Sequence, residues 1–404
     1  MISKNHVLIF ASQLVDRLRA IKTRRVQRQS QSEVIHGIRN HCTGEPRKRA
    51  LVSLSPVAWR AAVDEYPEIR FFNIGGLTYE VIKALNECGY EVDLCDCNAT
   101  DFVPNKSYDL FFAHNVNTRS IIEKLPPDCP VLHYVSGPYW KAFNEMSQRR
   151  YDDFCRRREL PLKTGFVRSF GGREDGEEFL IRRADAAFTS GPRNIATYGG
   201  ASRNMALLFL GSYVEKDLVV ENRDFEAGRK NFIYVAGSGG NVQKGMDLLI
   251  EAFSKMPDLH LYIYCKVESD ISQAYPSELS LPNIHYVYHY SRSFLRRRMR
   301  ELLKRINFTI SAPIDIGPGT AFLGSMGLGL IPVGYVDILA EESNSVLTGT
   351  ASVESLMSVA RDASEKSADW CRQASSETLE RFATLHDPPA FGRNFKRYFE
   401  RLGL

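Results

Sequence analysis

From about residue 50 onward, short apolar runs alternate with stretches whose apolar residues recur at helical spacing. Ala50 to Leu54 and Ile69 to Phe72 read as strands, Gly75 to Gly89 as a glycine-led helix, and the following "YEVDLCD" as a strand. Further strand-like runs lie at Leu110 to Ala113, Val131 to Val135 and Ala186 to Thr189, with helical segments between them. That alternation is the signature of a parallel sheet covered by helices on both faces. A polar, charged stretch from Gly211 to Lys230 interrupts it. The pattern then restarts with "NFIYVAG", a helix from Lys244, "LHLYIYC", "IHYVY", a helix through an Arg-rich stretch, "NFTISA", another helix and "LIPVG". Beyond Leu347 the chain reads as helical, broken at Pro388 and Pro389 before a last helix with Phe391, Phe395, Phe399 and Leu402 on one side.

The pattern therefore predicts an α/β protein of two Rossmann-like, doubly wound domains. Their expected bounds are 50–215 and 231–385, joined by a linker at 216–230. A terminal helix at 386–404 is expected to pack back on the N-terminal domain, and residues 1–49 are expected to form an N-terminal helical extension. Ligands of such sheets bind outside the carboxyl ends of the strands, where the strand order reverses, so a cleft between two such edges is the expected site.

Composition changes this picture only at the N-terminus. The 404 residues carry 52 basic and 48 acidic side chains, so the chain as a whole is not built to neutralise a phosphate backbone, and no nucleic-acid partner is expected. Residues 1 to 50 hold 11 Lys and Arg against three acidic residues, leaving the rest mildly acidic. Within that segment Val7, Leu8, Ala11, Leu14, Val15, Leu18 and Ile21 share one helical face, and Arg24, Arg25 and Arg28 follow. A surface helix packed on the body, a self-pairing helix and a contact with anionic lipid all fit this pattern. Nothing in it resembles a secretory signal, and no apolar run is long enough to span a bilayer. The eight cysteines include no CxxC pair and no zinc-ligand spacing, which fits reduced thiols.

Candidate chemistry concentrates in two glycine turns. In "NFIYVAGSGGNVQKGMDLLIEAF" a strand runs into Gly237, Ser238, Gly239 and Gly240, after which Lys244 and Gly245 open an amphipathic helix. Glycines let backbone N–H groups approach an anion, the helix N-terminus adds a favourable dipole, and the lysine adds a full charge. A plain glycine turn between strand and helix is the competing reading. The segment is neither a dinucleotide fingerprint, because Val242 stands where the third glycine belongs, nor a P-loop, because Gly245 follows Lys244. A nicotinamide-dependent enzyme is weakened accordingly. The second turn, in "SAPIDIGPGTAFLGSMGLGLIPVG", places Gly317, Pro318, Gly319 and Thr320 before a helix of small residues. Arg292 to Arg305 is rich in arginine and reads first as a solvated helix face.

Together these turns resemble the donor half of GT-B glycosyltransferases, specifically the retaining glycosyltransferase family 4, or group 1, in a divergent bacterial branch. The residues that carry the resemblance are Lys244-Gly245 before "MDLLIEAF" and the downstream loop, helix and "GLIPVG" strand. In the N-terminal half they are Gly75-Gly76 before "LNECGYEVDLCD", His114 after "YDLFFA", and "SGPYWKAFNEMSQRR". The resemblance spans most of residues 50 to 404. It implies a GT-B fold, a hexosyltransferase-type activity, a nucleotide-sugar donor and no metal or other cofactor. It assigns donor binding to Lys244, Gly237, Ser238, Gly239, Gly240, Gly317, Gly319, Thr320, Gly75 and Gly76, and the catalytic contact with the sugar to His114. Tyr139, Trp140 and Asn144, after a strand end of the N-terminal domain, are candidates for the acceptor side, and aromatic core packing is their alternative.

Three charged positions of the family pattern are replaced here: Ser238 stands for an arginine, and Ile316 and Gly324 for two glutamates, with Asp315 one residue from the first of them. Two functions are therefore expected. One is a glycosyltransferase of polysaccharide biosynthesis, acting on a glycan or lipid-linked acceptor. It would be cytoplasmic and peripheral on the inner face of the cytoplasmic membrane, held there through residues 1–49. The other is a catalytically silent GT-B-like protein that binds a sugar nucleotide or glycan, or supports a partner enzyme.

Overall fold

A computed structural model describes residues 5, 8, 9, 34–63, 74–99, 101–114, 118–135, 137–162, 174–200, 204–212, 214, 218–237, 240–287, 292–314, 319–338 and 340–404. The chain divides into two compact units. The first comprises Lys22–Ala142, Arg168–Tyr213 and Leu385–Leu404, and the second Met1–Ile21, Phe143–Val167 and Val214–Thr384.

The first unit is built on a seven-stranded sheet: β1 (Val34–Ile38), β2 (Lys48–Leu54), β3 (Tyr90–Asp96), β4 (Leu110–Ala113), β5 (Val131–Val135), β6 (Ala186–Thr189) and β7 (Met205–Leu207). Their order is β1-β3-β2-β4-β5-β6-β7, and every pairing is parallel except the edge pair β1 and β3. Every residue of β4, β5 and β6 is buried, as strands covered on both faces require. One cover is the helix Ile74–Glu87, which buries Leu77, Val81, Ile82 and Leu85 at helical spacing. Beside it lies the helix Pro388–Arg401, whose Phe391, Phe395 and Phe399 meet Tyr134, Phe112 and Tyr90 edge to face at 5.9, 5.5 and 5.6 Å. Burying each such ring contributes about 2 kcal/mol. The two helices approach closely at Gly392, where a Cβ would stand 2.4 Å from Oε2 of Glu80.

The second unit carries a six-stranded, wholly parallel sheet: β8 (Asn231–Val235), β9 (His260–Tyr264), β10 (Ile284–Tyr286), β11 (Phe308–Ser311), β12 (Ile331–Gly334) and β13 (Val346–Leu347). The order β10-β9-β8-β11-β12-β13 reverses direction between β8 and β11. The helix Met246–Ser254 covers it with Met246, Leu249 and Phe253, all fully buried, and Phe232 stacks on Phe308 at 4.9 Å. The helix Val353–Glu365 is started by a capping box between Ser352 and Ser355.

Several expectations shift. Val34–Ile38, placed in the expected extension, is a strand of the first sheet, where Val34 pairs with Cys95. The stretch Phe143–Val167, expected within the first domain, belongs to the second unit. Pro388 does not only break a helix. It occupies the first turn of the next one after Asp387, where its missing N–H costs nothing. Leu402 caps that helix and is 37% exposed rather than packed with the phenylalanines. The expected strand Ile69 to Phe72 and most of the N-terminal amphipathic pattern lie outside the described residues. Of that face only Leu8 is described, partly buried against the core of the second unit, and its neighbours Asn5 and Ile9 also pack there. Asn5 donates to the carbonyls of Leu279 and Ile284 at 2.7 and 2.9 Å, and Ile9 joins the core.

None of the eight cysteines is bridged, and burial pushes the Cys129 and Cys371 thiols up to about 11. Among the described residues no helix is long and apolar enough to cross a membrane, and no three His, Cys, Asp or Glu side chains gather as a metal site.

Candidate functional site

The reversal of strand order between β8 and β11 brings the two glycine turns to adjacent strand ends. Beyond β8, Gly237 is exposed and its carbonyl accepts a bond from the Lys244 ammonium at 3.1 Å. The turn then folds back through Gly240 N–H backbone geometry that needs φ +67°, and Gly245 caps the helix Met246–Ser254 at φ +77°, both left-handed. Tyr234, on β8, donates its hydroxyl to the Lys244 carbonyl at 3.2 Å and so fixes the lysine's backbone. The second turn is tied to the first, because the Ile314 N–H donates to the Gln243 carbonyl at 2.8 Å. A Cβ on Gly245 would stand 2.3 Å from the carbonyl oxygen of Ala312. Gly319 then caps the short helix Thr320–Met326, which opens on Thr320. Ser238, Gly239, Asp315 and Gly317 lie outside the described residues.

One expectation about this loop is corrected. Gly240 does not hold its N–H ready for a ligand oxygen. Its amide donates to Oε1 of Glu268 at 3.0 Å, and the next amide, of Asn241, donates to Oε2 at 2.8 Å. Asn241 returns the bond by accepting from the Glu268 amide at 2.7 Å. The chain's own carboxylate thus fills two of the loop's amides, the arrangement an anion would otherwise find there. Pattern reading missed Glu268 because it follows β9, more than 25 residues from the loop it bonds.

Beneath the loop lies a second group that the sequence did not single out. Asp247, in the first turn of the helix Met246–Ser254, is fully buried and ion-paired with Arg157, which also binds Glu251 and, at 2.9 Å, Asp153. Burial pushes the Asp247 carboxyl up, against the pull of Arg150 and Arg157. Arg150 donates to the Ala312 carbonyl at 3.2 Å and is buried, which lowers its pKa, while Asp247 holds its charge in place. The signal was present in sequence: Phe143, Ser147, Arg150, Tyr151 and Phe154 form the buried stripe of one helix, with an arginine where the period calls for an apolar residue.

In the first unit the strand order turns at β2 between β3 and β4, and His114 directly follows β4 at that point. Its Nδ1 lies 2.9 Å from the Tyr134 carbonyl. A carbonyl only accepts, so this contact places a proton on Nδ1. Neighbouring His133 is fully buried, which takes its pKa down to about 3 and keeps it neutral. Gly75 and Gly76 fall in the first turn of the helix Ile74–Glu87 rather than in a loop before it.

The aromatic pair Tyr139 and Trp140 stands together, with ring centroids 5.9 Å apart, after β5. Tyr139 donates its hydroxyl to Glu178, and its amide donates to Thr197 Oγ1 at 2.9 Å. The Trp140 indole N–H is buried with no acceptor among the described residues. Asn144, one helical turn on, belongs to the second unit and is not grouped with them. A cavity of about 1000 Å³ in the second unit, lined among others by Asn231, Tyr262, His285 and Arg305, lies at the amino-terminal edge of β8 and holds none of the glycine-turn residues.

No protein-family model matches the sequence, and no curated protein matches it either. Solved structures do match the fold. Sucrose-phosphate synthase from Thermosynechococcus elongatus aligns over 89% of this chain and 99% of its own, with a TM-score of 0.59 and 13% identity. A trehalose-6-phosphate protein from E. coli, bound with UDP-2-fluoro glucose, aligns over 84% and 81%, with a TM-score of 0.50 and 10% identity. TarM aligns over 72% of this chain and 54% of its own, with a TM-score of 0.51 and 10% identity. With two Rossmann-like units, each built on a largely parallel sheet with a turn-point at its carboxyl edge, the chain has the GT-B fold of the glycosyltransferases.

Proposed function

We propose that this protein is a metal-independent glycosyltransferase that moves a sugar from a nucleotide-sugar donor to a glycan or lipid-linked acceptor in polysaccharide biosynthesis. The observation that carries the reading is the Lys244 ammonium, held at the Gly237 carbonyl at 3.1 Å beside the β8 and β11 strand ends of a GT-B fold. When the bond from the anomeric carbon to the donor phosphate breaks, negative charge grows on the departing nucleoside diphosphate. A fixed cation at a helix N-terminus stabilises that charge more than it stabilises the ground state, and so lowers the barrier. The donor oxygens are assigned to Lys244, the Gly237 region and the turn that ends at Gly319 and Thr320, with Ser238, Gly239, Asp315 and Gly317 as further positions on the same two turns. The amides of Gly240 and Asn241 are left to Glu268. His114 is assigned to the sugar.

Support for a sugar-nucleotide donor comes from the fold neighbour bound with UDP-2-fluoro glucose. A second reading, a catalytically silent binder of sugar nucleotide or glycan, is favoured by Glu268, which already occupies two amides of the donor loop. One experiment separates the readings. Thermal shifts are recorded with UDP, ADP, GDP, their sugars and NAD, for the wild type and Lys244→Ala. A shift with a nucleoside diphosphate or its sugar should fall roughly 10- to 100-fold in apparent affinity in the variant, as loss of a charged hydrogen bond implies. No shift with any nucleotide would overturn both readings, whereas binding without hydrolysis or transfer of the bound sugar selects the silent one.

Membrane attachment is assigned to the basic residues that follow the amphipathic pattern, since Ile9 is already buried in the second unit. Replacing Arg24, Arg25 and Arg28 by Gln should weaken binding to vesicles containing phosphatidylglycerol. Unchanged vesicle binding removes the membrane from the proposal.

A further inference from the structure

The first unit holds a cavity of about 610 Å³ that none of the glycine turns enters. Its walls come from three places in the chain: Arg119 on the helix Thr118–Ile122, Trp140 and Lys141 after β5, and Glu178, Phe179, Arg182 and Arg183 on the helix Glu174–Arg183. The volume lies in the range of small-molecule sites.

The charge on these walls is unbalanced. Among the described residues, four cations face one carboxylate. Arg183 is engaged with the chain itself, donating to the carbonyls of Pro127 and Cys129 at 3.2 and 2.9 Å. The other three are held loosely. Arg119 pairs with Glu123 at 3.0 Å, both side chains more than half exposed, and Lys141 and Arg182 share Glu178 at 2.9 and 3.3 Å. Arg119–Glu123 is an exposed pair, and in the other two the cation is exposed while Glu178 is 25% so; pairs with an exposed cation stabilise the fold by 0 to about 1 kcal/mol, so these cations can exchange partners at little cost. An anion entering the cavity would gain charge-assisted bonds that the native pairs barely oppose.

The remaining walls are aromatic. Phe179 lies under the Arg119 guanidinium at 5.1 Å, and the Lys141 ammonium stands 5.2 Å from the Trp140 ring centre and 5.8 Å from that of Tyr139. Rings of this kind accept the C–H face of a saccharide while the surrounding donors take its oxygens. Cations already placed over the rings add a requirement for negative charge on the same ligand.

From these three features together, we infer that this cavity binds an anionic saccharide, a sugar bearing a carboxylate or phosphate, and that it selects the acceptor. The word acceptor rests on the glycosyltransferase reading, but the binding does not. Glu178 competes with the ligand for Lys141 and Arg182, and so tunes the affinity downward.

Binding of trigalacturonate, maltotriose, glucose 6-phosphate and inorganic phosphate is measured by calorimetry at low salt, alongside UDP. Trigalacturonate or glucose 6-phosphate should bind, maltotriose and inorganic phosphate at least about tenfold more weakly, and added NaCl should erode the difference. The doubly substituted Arg119→Gln, Arg182→Gln protein should lose about tenfold or more for the anionic sugar. Both positions are exposed, at 57% and 78%, so the fold should not suffer. Glu178→Gln should bind the anionic sugar more tightly than the wild type. Equal binding of maltotriose and trigalacturonate, an unaffected double variant, a weaker Glu178→Gln, or no binding by any saccharide would each overturn the inference. Equal binding of inorganic phosphate and glucose 6-phosphate would overturn its saccharide part. Failure of UDP alone, with anionic sugar still bound, strikes the donor reading and leaves this site standing.

Discussion

Gly245 is the position where a single methyl group should do most harm to the candidate donor site. Its φ of +77° is a conformation that costs a residue with a Cβ about 1 to 2 kcal/mol. The added Cβ would also stand 2.3 Å from the Ala312 carbonyl oxygen and 2.8 Å from both its carbonyl carbon and its Cβ. None of these atoms can rotate away, so the backbone leaving β11 must move, an overpacking cost of about 1 to 3 kcal/mol. The stiffer unfolded chain offsets up to about 1 kcal/mol of the sum. Gly245→Ala should therefore destabilise the second unit by roughly 2 to 4 kcal/mol, a fall of several degrees in Tm. Because Ala312 leads to the Ile314 amide that bonds Gln243, the displacement should reach the glycine loop and weaken nucleotide binding as well. Gly349→Ala is the control, since a Cβ there meets nothing within 4 Å. Urea unfolding followed by circular dichroism, with UDP thermal shifts in parallel, reads both effects. If Gly245→Ala proves as stable as Gly349→Ala, the close packing of the two turns is wrong.

Two further perturbations test the buried charges. Burial alone would raise the Asp93 carboxyl, but Lys106, His36, the Gly37 amide and Tyr108 bond it and hold it down at about 2, below its ordinary 3.8. A depressed carboxylate stabilises the fold above its unfolded pKa, so about 2 kcal/mol should be present at pH 7 and lost as the pH falls from about 4 to about 2. Asp93→Asn should be less stable than the wild type at pH 7 by that amount, with most of the gap gone by pH 2 and the rest lost below it, and a gap that stays constant across the window contradicts the linkage. Arg157→Ala would leave Asp247 and Glu251 without their shared cation, and should cost about 3 to 5 kcal/mol in the urea unfolding free energy. A loss below about 1 kcal/mol would show that Arg150 alone neutralises Asp247.

Much of the architecture could be read along the chain. Every strand from Lys48–Leu54 to Ala186–Thr189 that the alternation predicted within the described residues is present, and so are the five predicted for the second sheet, from Asn231–Val235 to Ile331–Gly334. Most of these runs are buried on both faces, so their apolar character is continuous and visible without knowing their neighbours. Three of the four edge strands are not: Val34–Ile38 is interrupted by His36 and Gly37, Met205–Leu207 is three residues long and Val346–Leu347 two, and each is a strand only because a partner pairs with it.

The candidate site divides in the same way. Glycines at a strand end followed by a lysine at a helix start are local facts, because left-handed turns and helix N-termini are decided within a few residues. What satisfies the amides of that turn is not local. Glu268 reaches Gly240 and Asn241 from beyond the next strand, and Arg150 reaches Ala312 across 162 positions. The sequence by itself determined where the chain turns and what charge it carries there. Only the tertiary structure decided which of those groups is already spoken for, because a hydrogen bond or ion pair is a matter of distance in space, and strand order in a parallel sheet brings together residues that no local pattern connects.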